Sequence, residues 1–250
     1  MLSDLERWFD ALQKRHLAEL EWPQVTRALR ALSSAYVQRR AKLASGAALD
    51  GRGKRAAFAL FYGPLHFAAV WSVMEQLRAD GASLDSSSIL DAGCGTGAGG
   101  AAWALASGSE PRVLGVDVHP WAVSEADWTY RFFRLDGRAR RGDLGAARLE
   151  RSSALLAAYT LNELDAPART RLLEDALEGR REMLVIEPVA RGVAPWWDGA
   201  AAAVVARGGR ADEWKLPLRM PARWTLLDRA AGFRRDHLKA RSLWLPARGA

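Results

Sequence analysis

Cysteine is almost absent from this sequence, in which Cys94 is the only one among 250 residues. One cysteine cannot build a disulfide framework. It also excludes metal centres and iron–sulfur clusters that need several thiolate ligands. The sequence therefore favours a reducing, cytoplasmic location.

The sequence also shows no long run of consecutive apolar residues. The first residues, Met1-Leu2-Ser3-Asp4, lack the apolar stretch of a signal peptide. The alanine-rich run at 200–206 is too short to cross a bilayer. We therefore expect no association with a membrane.

Lysine is scarce, yet the chain is strongly basic, with a net charge of +7 at pH 7. Such a balance is typical of proteins that bind a polyanion such as RNA. Abundant arginine and alanine can equally reflect the base composition of the source genome. Two basic clusters are the candidate RNA contacts: Arg39, Arg40, Lys42, Arg52, Lys54 and Arg55, and then Arg131, Arg134, Arg138, Arg140 and Arg141.

The length of the chain allows one α/β domain with a small additional unit. Residues 1–80 show apolar residues at helical spacing and no strand pattern, which predicts a helical cap. Residues 81–250 then alternate strand and helix patterns, which predicts a doubly wound, mostly parallel α/β sheet. The segment 188–221 is long for a connection and contains Trp196 and Trp197, so we expect it to form a lid or substrate segment.

The stretch at 89–97, Ile-Leu-Asp-Ala-Gly-Cys-Gly-Thr-Gly, predicts a buried strand, a glycine turn and the start of a helix. Spacing alone also fits a dinucleotide site, or a tight turn without a ligand. Asp91 favours another ligand, because a carboxylate repels pyrophosphate and attracts a cationic group. The pattern resembles the first motif of the class I S-adenosylmethionine-dependent methyltransferases. That resemblance implies S-adenosylmethionine as cofactor and contacts from Asp91, Gly93, Cys94, Gly95 and Gly97.

The next two predicted strands also end in carboxylates. The strand at 112–117 ends at Asp117, which can accept hydrogen bonds from a ribose diol, and Val118 follows it. A weaker, arginine-rich strand at 137–142 leads to Asp143 and Leu144, where a carboxylate can accept from an adenine amino group. For Asp143 the alternative is an ordinary helix N-cap.

The fourth predicted strand, 153–160, runs into a polar turn. Tyr159 is a further candidate cofactor contact, and we expect Asn162 and Glu163 to face the transferred methyl group or its acceptor. The alternative is that both begin a helix at 163–178 and meet only solvent. The fifth strand, 183–187, ends at Glu187 before Pro188.

A second resemblance rests on this fourth strand. The run at 157–164, Ala-Ala-Tyr-Thr-Leu-Asn-Glu-Leu, resembles the Ala-Tyr-Val-Leu-Asn-Glu-Leu signature of the methyltransferase-like proteins of mitochondrial small-ribosomal-subunit assembly and their bacterial relatives. Val185-Ile186-Glu187-Pro188 is similar to the end of strand five in that family, and Pro64 with residues 67–70 resembles its Pro-Ala-Thr-Tyr-Ala-Ala-Val helix. The resemblance covers about 62–192 and implies RNA of the small ribosomal subunit as partner. The cysteines that bind an iron–sulfur cluster in that family are missing here.

A catalytic base is needed only when the acceptor must lose a proton. The candidates are Glu163, His66 and Glu187, and Tyr62 and His66 flank the entry to the α/β domain, where either can contact donor or substrate. We expect an S-adenosylmethionine-dependent methyltransferase acting on RNA. The alternatives are a small-molecule N- or O-methyltransferase with a tryptophan-lined acceptor pocket, and a module that binds the cofactor without catalysis.

Overall fold

The computed structural model describes residues 1–38, 49–145, 153–179, 181–189 and 194–247. The helices are α1 (Leu2–His16), α2 (Trp22–Gln38), α3 (Arg52–Ala57), α4 (Gly63–Ala79), α5 (Ala98–Ser107), α6 (Pro120–Phe132), α7 (Ala166–Gly179), α8 (Trp197–Val205) and α9 (Ala222–Ala231), with a π-helical turn at Phe58–Tyr62. The strands are β1 (Ser88–Ala92), β2 (Arg112–Asp117), β3 (Gly137–Arg141), β4 (Ala154–Ala158), β5 (Met183–Glu187), β6 (Arg210–Pro217) and β7 (His237–Leu245).

The chain divides into two compact units, Met1–Ala68 with Pro217–Leu238, and Ala69–Leu216 with Lys239–Ala250. The predicted boundary at residue 80 is therefore wrong, and α9 belongs to the first unit rather than to the α/β unit. The reason is a contact between distant parts of the chain. Trp224 of α9 stacks on Phe61 with ring centroids 4.9 Å apart, and its indole Nε1 donates to the Phe61 carbonyl at 2.9 Å.

The first unit is helical, as predicted. The apolar stripe of α1 is buried, and Leu29 and Leu32 of α2 are buried with it. Burial of such stripes is the main source of stability for helices of this length.

The second unit contains a sheet whose described strands follow the order β3-β2-β1-β4-β5-β7-β6. The first five strands in this order pair in parallel, and β7 runs antiparallel to β5. The predicted doubly wound, mostly parallel sheet is confirmed. Because the parallel strands share one direction, the carboxyl ends of β1, β2 and β4 meet at one edge of the sheet.

The segment predicted as a lid at 188–221 consists largely of regular structure, α8 and the edge strand β6. Trp214 of β6 donates its indole N–H to the Ser242 hydroxyl of β7 at 2.9 Å, which ties β6 to the sheet. The part at 210–217 is therefore built into the sheet, and the role of the segment as a lid or substrate segment stays a prediction.

One continuous helical stretch, Arg52–Ala79, is long and apolar enough by length and composition to cross a membrane. This corrects the expectation that no segment reaches that length. Since 72% of its most apolar window is buried inside the protein, the stretch behaves as a core helix and is weak evidence for a span.

Candidate functional site

The glycine turn after β1 has the backbone that the motif predicts. Gly93, Gly95 and Gly97 have φ angles of 67°, 52° and 73°, in the left-handed region that favours glycine. The N–H groups of Gly93 and Cys94 both donate to the Val116 carbonyl, at 2.8 and 3.1 Å. The turn is thereby fixed against β2, and α5 begins directly after it.

Two of these glycines are also required by packing. A Cβ on Gly93 would lie 2.7 Å from the Thr160 hydroxyl oxygen, and one on Gly97 would lie 2.9 Å from the Ala126 Cα. Contacts this short do not occur for real Cβ atoms, so neither position can hold a larger residue. The end of β4 packs against the turn at Gly93, and α6 packs against it at Gly97.

Thr96, inside the turn, was not singled out from the sequence. Its side chain is 2% exposed, and its hydroxyl has no hydrogen-bond partner among the described residues. Such a group loses its hydration without compensation, which costs about 1–3 kcal/mol unless a ligand supplies the bond. The signal available in the sequence was a polar residue between two glycines of the motif.

Asp91 lies at the carboxyl end of β1, as predicted, but its carboxylate does not face an open crevice. It is 2% exposed, and Oδ2 accepts hydrogen bonds from the Gly100 N–H at 2.9 Å and the Tyr130 hydroxyl at 3.2 Å. Burial raises the pKa of Asp91 to about 6, and these two hydrogen bonds oppose the rise. Asp91 therefore holds the first turn of α5 through Oδ2, and its direct ligand contact stays a prediction.

Asp117 ends β2 and contacts the glycine turn directly. Oδ2 accepts from the Gly95 N–H at 3.0 Å, and Oδ1 accepts from the His119 N–H at 2.8 Å. Burial raises the pKa of Asp117, and these backbone hydrogen bonds limit the rise. The Val118 N–H also donates to this carboxylate, so three of about four lone pairs are used and one remains for the predicted bond to a ribose diol.

Val118 follows Asp117 and is 44% exposed, so its side chain is accessible to a ligand. Its contact with the cofactor stays a prediction. Asp143 is exposed, and Oδ1 accepts from the Gly145 N–H at 2.8 Å in a local turn, so its adenine contact also stays a prediction.

Two predicted cofactor contacts have side chains that point into the protein. Leu144 packs in the core cluster that contains Val116. The Cys94 sulfur lies so near Gly115 that a Cβ there would be 2.9 Å from it, and burial raises the pKa of the thiol well above its usual range. The backbone atoms of both residues are the groups that can reach a ligand, and their predicted cofactor contacts stay predictions.

The end of β4 turns sharply beside the glycine turn. Tyr159 has a φ of 61°, a strained value for a residue with a side chain, and its N–H donates to the Ile186 carbonyl at 2.7 Å. Thr160 then donates its hydroxyl to the Ala92 carbonyl at 2.9 Å. Strained residues of this kind concentrate at functional sites. The predicted cofactor contact of Tyr159 stays a prediction.

Asn162 is engaged by the protein rather than directed at a substrate. Its Nδ2 and backbone N–H donate to the two carboxylate oxygens of Glu187, the second at 3.2 Å. Its Oδ1 accepts from the indole N–H of Trp196 at 3.2 Å. Asn162 therefore links Glu187 to Trp196, and its catalytic role stays a prediction.

Glu187 is fully buried at the end of β5. Burial raises its pKa to about 8; the Asn162 N–H opposes this rise, and the charge of Glu163 adds to it. Arg241 lies opposite Glu187 on β7. A fully buried carboxyl cannot reach an acceptor, so Glu187 is removed from the candidate bases.

Glu163 lies in the turn between β4 and α7, with its N–H donating to the Thr160 carbonyl at 2.9 Å. The helix predicted from residue 163 begins instead at Ala166, because Asp165 caps it through the Ala168 N–H at 2.7 Å. Glu163 is half-buried, and burial together with the negative charge of Asp117 raises its pKa to about 7. The alternative that Glu163 only meets solvent is therefore wrong, and the structure places it within electrostatic range of Asp117.

Tyr62 and His66 belong to the first unit. Their ring centroids lie 6.0 Å apart. Burial raises the pKa of Tyr62, while a hydrogen bond from Ser33 and the charge of Arg235 oppose the rise. Burial lowers the pKa of His66 to about 4, so the imidazole is neutral at pH 7. Their contacts with donor or substrate stay predictions.

Within the described ranges, no group of three or more histidine, cysteine, aspartate or glutamate residues is arranged to hold a metal ion.

The candidate site consists of the glycine turn, Thr96, Asp117 and Glu163, which lie at the carboxyl edge of the sheet.

No protein-family model matches the sequence, and a comparison with curated proteins finds no match. Several solved structures are similar in fold. A magnesium protoporphyrin IX methyltransferase from Synechocystis, crystallised with S-adenosylhomocysteine, is 16% identical over 73% of this chain and 83% of its own, with a TM-score of 0.49.

Two further structures are a methyltransferase that depends on S-adenosylmethionine, from Aquifex aeolicus, and a putative RNA methyltransferase from Pyrococcus horikoshii. The first is 13% identical over 69% of this chain and 88% of its own, with a TM-score of 0.46. The second is 14% identical over 72% of this chain and 84% of its own, with a TM-score of 0.46. These similarities are too low to assign a function, and the fold assignment rests on the strand order.

Proposed function

We propose that this protein is an S-adenosylmethionine-dependent methyltransferase. The observation that carries the proposal is the glycine turn: three left-handed glycines lie between β1 and α5, and the Asp117 carboxylate accepts from the N–H of the middle one. This arrangement stands at the carboxyl edge of a class I methyltransferase sheet, where open α/β sheets bind their ligands.

The residues present fit this cofactor. The turn and the first N–H groups of α5 form a cradle that backbone atoms line, and the Thr96 hydroxyl offers an unused hydrogen bond. Asp117 would hold the ribose, and Val118 would pack against the adenine. The chemistry that the cofactor supplies is a sulfonium methyl group open to nucleophilic attack.

Glu163 is the residue of this edge best suited to hold a proton. With a pKa of about 7 it is partly ionised at neutral pH, which is the range in which a general base works best. It would accept the proton of an acceptor that must lose one. The bonds of Asn162 to Glu187 and Trp196 hold the turn that carries Glu163.

For the acceptor we propose RNA of the small ribosomal subunit. The basic charge of the chain and the resemblance of residues 157–164 to the small-subunit assembly proteins support this choice. The arginines at 131, 134, 138, 140 and 141 are all exposed. In the other cluster, Arg39, Arg40 and Lys42 lie outside the described residues, and Arg52 pairs with Glu19.

A small-molecule acceptor is the second candidate. It is favoured by the half-buried Trp196, whose ring is held by Asn162 and lies 5.4 Å from the Arg169 guanidinium. A fixed indole beside the turn of Glu163 can stack on a planar substrate.

Titration calorimetry tests the cofactor. S-adenosylmethionine and S-adenosylhomocysteine should bind, and nicotinamide dinucleotides should not; the opposite pattern would overturn the proposal. Transfer of labelled methyl groups to a cell extract, before and after nuclease treatment, then separates RNA from small-molecule acceptors.

A further inference from the structure

The strand at one edge of the sheet, β3, is unusually rich in arginine. Its sequence is Gly-Arg-Ala-Arg-Arg, and Arg138, Arg140 and Arg141 are all exposed. Charges on an edge strand prevent edge-to-edge pairing. Three arginines in five residues also concentrate positive charge along this edge.

The helix before β3 adds both charge and aromatic surface. Trp128 and Phe132 of α6 are half-buried and stack on each other, with ring centroids 5.7 Å apart and planes 27° apart. Phe133 meets Phe132 edge-on at 5.0 Å. The exposed Arg131 and Arg134 are interleaved with these rings. Aromatic rings that alternate with arginines are the elements with which proteins bind single-stranded nucleic acid.

The acids of this region do not neutralise the arginines. In the part of the chain that the structure describes, none of Arg131, Arg134, Arg138 and Arg140 forms an ion pair. The exposed Asp136 lies 3.4 Å from Arg112, and Asp127 accepts from the β3 backbone at the Ala139 N–H, 2.6 Å away. The positive charge at this rim of the sheet is therefore available to an anion.

The rim also leads towards the candidate site. Arg141, at the carboxyl end of β3, donates its Nε to the Val118 carbonyl at 3.2 Å, and Val118 directly follows Asp117. The distance from Arg138 to Arg141 along the strand is about 10 Å. A chain bound along β3 thus runs towards the carboxyl edge where Glu163 lies.

We propose that the β3 rim, defined as Trp128, Arg131, Phe132, Arg134, Arg138 and Arg140, binds a single-stranded segment of RNA. The segment crosses the edge of the sheet, because Gly137 packs against Tyr130 of α6 and the alternate residues Arg138 and Arg140 therefore lie on the other face of β3. The arginines hold its phosphates, and the Trp128–Phe132 pair stacks on its bases. This proposal rests on the RNA acceptor of the proposed function.

The test measures binding of a fluorescent 12-nucleotide single-stranded RNA of mixed sequence by anisotropy, at several salt concentrations. The Arg138→Ala/Arg140→Ala variant should bind about tenfold more weakly near 0.1 M salt, with a log–log salt slope flatter by about 1.4. The Trp128→Ala variant should bind about tenfold more weakly with an unchanged slope, and Trp128→Phe should restore most of the binding, because stacking does not depend on salt.

A matched control removes two charges near the opposite edge of the sheet, at the exposed Arg207 and Lys215. The proposal would be overturned if the control variant lost as much RNA affinity as the β3 variant. It would also be overturned if duplex RNA bound as tightly as single-stranded RNA, or if the wild-type protein did not bind RNA. Calorimetry with S-adenosylmethionine on the same samples separates the two proposals. Absent cofactor binding refutes the methyltransferase, whereas intact cofactor binding without an RNA defect in the β3 variant refutes only the rim.

Discussion

The raised pKa of Glu163 predicts that the protein distinguishes the charged methyl donor from its neutral product in a pH-dependent way. With a pKa of about 7, Glu163 is about 9% ionised at pH 6 and about 91% ionised at pH 8. Ionised Glu163 attracts a sulfonium cation. A thioether carries no such charge and gains nothing from this carboxylate.

The quantity to compare is the ratio of the dissociation constants of S-adenosylhomocysteine and S-adenosylmethionine. The preference for S-adenosylmethionine over S-adenosylhomocysteine should increase about tenfold from pH 6 to pH 8, as expected for two unit charges at moderate distance in a partly solvated site. Both compounds carry the same amino and carboxylate groups, so the titration of those groups cancels in the ratio.

The assay is calorimetric titration with each compound at pH 6, 7 and 8. In the Glu163→Gln variant, which keeps the shape and loses the charge, the ratio should not change with pH. Glu163→Asp should keep part of the dependence. A wild-type ratio that is flat with pH, or a slope that persists in the glutamine variant, would refute the electrostatic role of Glu163.

Three further changes test the rest of the site. Asp117→Ala should weaken donor and product alike by about 1.5–3 kcal/mol, because a charged hydrogen-bond acceptor is lost; an unchanged dissociation constant in calorimetry would remove Asp117 from the ribose site. Gly95→Val should abolish cofactor binding while circular dichroism stays native, because a β-branched residue cannot easily adopt the φ of 52°; retained binding would contradict the close backbone approach. In urea unfolding, the free energy of unfolding should fall less between pH 5.5 and pH 8 for Glu187→Gln than for the wild-type protein. A carboxyl with a raised folded pKa of about 8 stabilises the fold at low pH and loses that contribution as the pH rises, so parallel pH curves would contradict this burial effect.

The fold was predictable because its signals are local. Strand and helix patterns alternate along 89–187, and the glycine turn marks the first connection of the sheet. The edge strand β6 was missed for an equally local reason. Its half-buried and exposed residues alternate, but Arg210 and Asp212 stand on the half-buried face, so no apolar alternation marks the strand.

The roles of the carboxylates were less predictable, because their partners are distant in sequence. Asp91 bonds to Tyr130, 39 residues away, and Asn162 bonds to Glu187, 25 residues away. Trp224 joins the first unit through Phe61, which precedes it by 163 residues. Position at a strand end predicts that a polar residue lies near the site. It does not predict whether another residue has already used the polar atoms.

A polar residue can bind a ligand when the fold leaves some of its hydrogen-bonding groups unused. A polar residue whose groups are all bonded to the protein serves the structure instead. Asn162 and Glu163 are neighbours in one turn, yet Asn162 is engaged by Glu187 and Trp196, whereas the Glu163 side chain has no hydrogen bond within the described ranges. Thr96 is the second case, a buried hydroxyl without a protein partner. Both residues belong to the region of the glycine turn. Thr96 lies within the turn, and the backbone N–H of Glu163 bonds to Thr160, which contacts the turn. Since buried polar groups in native proteins are normally satisfied, a ligand that bonds to Thr96 and Glu163 would use both of these groups.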